Sequence, residues 1–213
     1  MSDAVEVDSV DGLKLEAEID VPETLGGALL LCHPHPQMGG TMNAPLLLAL
    51  RDRLVAGGWG VLRFNYRGIG SSEGETGTGG PEEGDARGAL RRLRQLCPGV
   101  PMAVAGWSFG AGVALRILPR EPALEAVVAI APSVRGKEGV TIPVPAAHEV
   151  RATAPILVVC GERDEQVSPA DARAWAESVP TARYVEVRGA NHFFWGQYDR
   201  LGDTVASFLD EIL

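Results

Sequence analysis

From about residue 27 onward the chain alternates short, almost purely apolar runs with longer stretches in which apolar positions recur every three or four residues. Residues 27–32 (GALLLC), 59–64 (WGVLRF), 102–106 (MAVAG), 126–130 (AVVAI) and 156–160 (ILVVC) have the pattern of strands covered on both faces. Residues 184–187 read as a last strand, followed by a C-terminal helix. The stretches 44–56, 82–96, 109–118 and 170–179 read as helices between the strands. This alternation requires right-handed crossovers and predicts an α/β fold: a mostly parallel, doubly wound sheet with helices on both faces. Residues 13–20 (LKLEAEID) differ, because they alternate apolar and charged residues with period two. They predict a strand with one exposed face near a sheet edge, and so an antiparallel N-terminal start.

Local signals agree with these elements. Pro45, after Asn43, fits an early helical position, and Ser168-Pro169 can cap the helix that follows. The glycine-rich stretch 68–84 is too polar to pack and reads as a long surface loop. Residues 132–155 connect two buried strands with several prolines and little periodicity. Neither segment is long enough for a separate lid domain, so residues 1–213 are expected to form a single domain.

Charge and cysteine content narrow the partners. The formal charge is −9, and Lys14 and Lys137 are the only lysines. The one basic cluster, Arg87, Arg91, Arg92 and Arg94, lies beside Glu82, Glu83 and Asp85 and reads as a solvated helix face, so no nucleic-acid partner is expected. Cys32, Cys97 and Cys160 have no CxxC spacing and are odd in number, which predicts buried free thiols rather than a disulfide framework. The acidic N-terminus has no apolar leader, and there is no run of apolar residues long enough to span a membrane. The expectation is a cytoplasmic protein, neither exported nor membrane-spanning, working as a monomer or homodimer.

In an open parallel sheet, ligands bind beyond the carboxyl ends of the strands. Directly after MAVA stands Gly106-Trp107-Ser108-Phe109-Gly110, a G-x-S-x-G pattern between a strand and a helix, where a sharp turn exposes a serine hydroxyl. Serine needs a base to take its proton. Among His33, His35, His148 and His192, the last fits best, because it lies in the loop between the final strand and the final helix. The imidazole in turn needs a carboxylate, and ILVVC is followed by Gly161-Glu162-Arg163-Asp164-Glu165. Asp164 is the choice, with Glu162 and Glu165 as alternatives. The order Ser108, Asp164, His192 is that of the α/β-hydrolase lineage.

Acyl transfer also needs backbone donors for the oxyanion. The Phe109 amide supplies one. The other comes from the loop His33-Pro34-His35-Pro36-Gln37-Met38, where the prolines have no N–H and His35 is the first choice, with Gln37 or Met38 as fallback. A zinc site at His33-x-His35 is disfavoured because no acid or third histidine lies near in sequence, so no metal and no cofactor are expected. Trp107, Phe109, Phe193, Phe194 and Trp195 flank these positions, and Trp107, Phe193 and Phe194 are the candidate pocket lining.

From residue 13 to the end the chain resembles the α/β-hydrolase superfamily. His33-Pro34-His35-Pro36 with Gly39-Gly40-Thr41-Met42-Asn43, and Leu62-Arg63-Phe64-Asn65-Tyr66-Arg67-Gly68-Ile69-Gly70, resemble the small lid-less bacterial hydrolases related to dienelactone hydrolase and short-chain carboxylesterases. The resemblance implies an α/β-hydrolase fold, Ser108 as nucleophile, Asp164 as acid, His192 as base and an oxyanion loop at 33–37, with Arg67 and Gly68 in a structural turn after the fourth strand. Dienelactone hydrolases use a cysteine where Ser108 stands, which argues against a dienelactone substrate. The expected activity is hydrolysis of small carboxylic esters with short acyl chains. The alternatives are a thioesterase, transacylase or peptidase using the same residues, or a non-catalytic binding protein on this fold.

Overall fold

The computed structural model describes residues 2–138, 140–150 and 154–211. Its strands are β1 (Asp3–Asp8), β2 (Lys14–Asp20), β3 (Gly27–Cys32), β4 (Trp59–Phe64), β5 (Met102–Trp107), β6 (Ala126–Ile130), β7 (Ile156–Gly161) and β8 (Ala182–Val187). They form one sheet in the order β1-β2-β4-β3-β5-β6-β7-β8. The pairs β1–β2 and β2–β4 are antiparallel and every later pair is parallel. The α/β-hydrolase fold expected from the sequence is present, with no lid domain among the described residues.

Strand side chains alternate between two separate cores. Leu29 and Leu31 of β3 pack with α1 (Pro45–Ala56) and α5 (Tyr198–Asp210), whereas Ala28, Leu30 and Cys32 face α2 (Gly80–Leu96), α3 (Phe109–Ile117) and α4 (Pro169–Glu177). The same alternation holds in β6, where Val128 and Ile130 face the first core and Val127 and Ala129 the second. This two-sided burial is what makes the central strands apolar at every position.

The structure departs from the sequence reading in three places. β1 was not expected; only Val7 of its six residues is buried, so its apolar pattern is faint. The predicted loop 68–84 ends early, because α2 begins at Gly80. There the buried Glu82 carboxylate accepts the Gly79 and Gly77 amides, closing the helix start with a side chain. The arginines of α2 are also more than a solvated face, since Arg87 and Arg94 both reach Glu121 at 2.9 Å. Pro45 stands at the start of α1, and Ser168 Oγ accepts the Asp171 amide at 3.1 Å, as expected. All three cysteines are buried and unpaired.

Candidate active site

Ser108 sits at the turn from β5 into α3 with φ 56° and ψ −112°. A non-glycine residue there costs about 1–3 kcal/mol of backbone strain, which must be held by its surroundings. The Ser108 amide donates to the Ile130 carbonyl at 2.7 Å, tying the turn to β6. The two glycines of the motif are required by contact. A Cβ on Gly106 would lie 2.1 Å from the Gly110 carbonyl oxygen, and one on Gly110 would lie 2.2 Å from that of Cys32. Removing both side chains lets α3 start against β3 and β5.

His192 reaches this serine from the loop after β8. Its Nε2 lies 3.1 Å from Ser108 Oγ, and its Nδ1 lies 2.8 Å from Asp164 Oδ2. The carboxylate can only accept, so Nδ1 carries the hydrogen and the Nε2 lone pair faces the hydroxyl. Asp164 is fixed on its other side: Oδ1 accepts the Gln166 and Val167 amides at 2.9 and 3.0 Å. Glu162 turns away to accept the Gly189 amide, and Glu165 is exposed, so neither alternative acid meets His192. Trp107 Nε1 donates to the His192 carbonyl at 3.1 Å and anchors that loop from β5.

The loop after β3 brings His35 to the other side of Ser108, its ring 5.0 Å from that of Phe109. The amides of Gln37, Met38, Gly39 and Gly40 all donate within the loop, which removes the fallback donors. Among the described hydrogen bonds the His35 and Phe109 amides have no acceptor, leaving both available to an oxyanion.

Both loop histidines are occupied as structural groups. Tyr66 N–H donates to His33 Nε2 at 3.1 Å, so Nδ1 carries the hydrogen and donates to the Pro34 carbonyl at 2.7 Å. Burial pushes the His33 pKa down to about 4, keeping the ring neutral. His35 Nδ1 accepts the Gln37 amide, and Nε2–H donates to the Val140 carbonyl at 3.1 Å. No ring lone pair is free for a metal, and among the described residues no group of three ligating side chains occurs.

A cavity of about 460 Å³ opens beside Ser108 and His192. Trp107 and Phe193 line it as expected, with Met38, Thr41, Asn43 and Gln166. Phe194 does not. It is fully buried in the core beneath α1 and α5, because its φ of 53° turns the ring inward between two outward neighbours. The sequence reading also missed what holds the cavity wall. Asn65 Oδ1 accepts the Met42 amide at 2.8 Å, and the buried Arg63 guanidinium donates to Met42 O and Asn43 Oδ1. Arg67, in the turn after β4, is bound to Asp85 and Asp11, the structural place its motif implied.

The profile of the family described as serine aminopeptidase, S33, matches residues 38–152, which include Ser108. An uncharacterized protein of Rickettsia prowazekii is 30% identical over 193 residues, covering 84% of this chain and 77% of its own. Among solved structures, an alpha-beta serine hydrolase homologue from Coxiella burnetii superimposes with a TM-score of 0.85 at 28% identity, covering 97% of each chain. A lid-less a/b serine hydrolase from Xanthomonas campestris does so at 0.85 and 27% identity, covering 100% of this chain and 95% of that one. With its strained serine turn, its two unpartnered amides and more than half its length matched, the chain belongs to the serine aminopeptidase S33 family of α/β serine hydrolases.

Proposed function

We propose that the protein is a carboxylesterase acting on small esters through an acyl-enzyme. The observation that carries this reading is the hydrogen-bonded series Ser108 Oγ, His192 Nε2 at 3.1 Å, and Asp164 at 2.8 Å from His192 Nδ1. His192 takes the Ser108 proton as Oγ bonds to the ester carbonyl carbon, and the carbonyl oxygen becomes an oxyanion between the His35 and Phe109 amides. The tetrahedral intermediate collapses, the alcohol leaves with the proton from His192, and the acyl group stays on Oγ. Water then gives a proton to His192 and attacks the acyl carbon; the carboxylic acid departs and Oγ regains the proton. Asp164 holds the imidazole in the required tautomer and stabilises it when charged.

An ester is favoured over an aminopeptide because none of the described residues lining the cavity is acidic, so a substrate α-ammonium would enter without a counter-charge. The three buried, unpaired thiols support work in a reducing compartment, the cytoplasm, and the partner is a small-molecule ester met by a monomer or homodimer. Ser108→Ala should lower p-nitrophenyl acetate hydrolysis by a factor on the order of 10⁶ and abolish fluorophosphonate labelling. Full activity in that variant overturns the assignment. Faster turnover of aminoacyl amides than of matched esters would move the protein to the peptidases.

A further inference from the structure

The structure contains an aromatic feature that the hydrolytic steps do not use. Trp195 is 66% exposed, yet its ring is stacked on Phe193, with centroids 4.7 Å apart and planes 11° from parallel. Phe193 lines the cavity beside Ser108 and meets Trp107 and His192 edge-on, at 5.9 and 5.6 Å. The rings therefore run in contact from the reacting imidazole to solvent. Met38, from the loop on the other flank of Ser108, also lines the cavity and is also 66% exposed, offering a thioether suited to an aromatic neighbour.

The pairing of Phe193 with Trp195 has a built cause. Between them, Phe194 holds φ 53°, a conformation an aromatic residue adopts at a cost. Its buried ring anchors the loop, while the Asn191 side-chain oxygen accepts the Phe193 amide and the Asn191 carbonyl accepts that of Phe194. A single exposed tryptophan is ordinary. One kept in parallel stacking on a cavity wall by a strained, fully buried neighbour is a prepared surface.

We infer that Phe193 and Trp195 form a subsite for a planar aromatic ring of the substrate, extending the cavity outward from Ser108. A ring leaving the cavity along Phe193 continues the stack on the indole, where offset stacking favours flat aromatic over saturated groups of equal bulk. Among the described residues that line the cavity up to Phe193 there is no aspartate, glutamate, lysine or arginine, which suits an uncharged ring. The inference rests on the esterase reading, and its test separates the two.

The measurement is kcat/KM for two matched pairs: benzyl against cyclohexylmethyl acetate, and methyl phenylacetate against methyl cyclohexylacetate. One pair should show an aromatic preference of about threefold to tenfold, identifying the alcohol or the acyl side as the occupant. The ratio within each variant cancels any general loss of activity. Trp195→Ala should bring the ratio near one, and Trp195→Phe should restore most of it. No preference in either pair, or an undiminished preference in Trp195→Ala, overturns the subsite. Binding of N-benzylacetamide to Ser108→Ala protein reads the subsite without chemistry. The Trp195 indole N–H resonance, assigned by its absence in Trp195→Phe, should shift more than with N-(cyclohexylmethyl)acetamide. If neither ester pair is hydrolysed but that shift is seen, the esterase reading fails and the subsite stands; equal shifts overturn the subsite.

Discussion

On the β3 flank of Ser108 the backbone from His33 to Asn43 is pinned by hydrogen bonds to buried polar side chains. On the β8 flank, residues 191–196 are held largely by rings. In the first loop the Asn65 and Arg63 side chains bond the Met42 amide and carbonyl, while the His33 ring bonds the Pro34 carbonyl and, through Nε2, ties the loop to the Tyr66 amide after β4. The second loop has a buried Phe194, a Trp107 indole bond to the His192 carbonyl and the Phe193–Trp195 stack. The difference follows from what each loop presents. The β3 loop offers a backbone N–H, whose direction depends on peptide orientation, and directional bonds fix peptides. The β8 loop offers side-chain rings, whose position depends on where the chain is anchored, and non-directional packing is enough for that.

The contrast can be tested by removing one support at a time. The largest effect is expected at Asp164, where chemistry and support coincide. Asp164→Asn should lower kcat by about 10⁴-fold with little loss of stability, because the amide can stay in place while presenting the wrong tautomer of His192. Steady-state kinetics beside a thermal melt would show it, and a loss of activity that follows only the loss of fold would refute it. Next comes Phe194→Ala, which removes the anchor of the β8 loop and should cost about 3–5 kcal/mol in denaturant unfolding. A cost below about 1 kcal/mol would mean that backbone bonds alone hold that loop.

The smallest of these effects is peculiar to the polar flank. His33, with its folded pKa depressed to about 4, is neutral in the native protein, while the unfolded chain protonates near 6.5. Between those values the unfolded state binds more protons. The stabilising contribution is therefore present above pH 6.5 and is lost as pH falls toward 4, by up to about 3 kcal/mol. His33→Gln should flatten unfolding free energy against pH across that window relative to the parent. Identical slopes in the two proteins would remove His33 as the acid-sensitive support.

Much of this arrangement was legible in the chain because the relevant signals are local. GALLLC and ILVVC announce buried strands by composition, and Gly106, Ser108 and Gly110 announce a tight turn by spacing. Partnerships across long sequence separations were harder to read. Asn65 meets Met42 and Arg63 meets Asn43 only after β3 and β4 pair, although both residues lie in the noted run 62–70. Phe194 was misread because adjacent aromatics look alike in sequence, and nothing local marks the one with positive φ. β1 was missed because an edge strand paired on one side only needs little apolar surface. The start of α2 left a sign in Pro81 followed by Glu82 and Glu83, and the helix read over 82–96 begins two residues inside the observed one; the glycines only stretched the loop reading over its first turn.

Two of the unpaired thiols, Cys32 in β3 and Cys160 in β7, report on the strands that lead to His33 and to Asp164. Cys32 immediately precedes His33, and Cys160 lies four residues before Asp164; burial raises both to about 12, so neither offers a thiolate to a maleimide while its strand is closed. Their alkylation rates then become clocks for local opening. Mass-resolved labelling of the native protein at neutral pH should find Cys32 and Cys160 reacting at different rates, each following the integrity of its own strand. As pH falls toward 4, protonation of His33 should raise the Cys32 rate relative to that of Cys160.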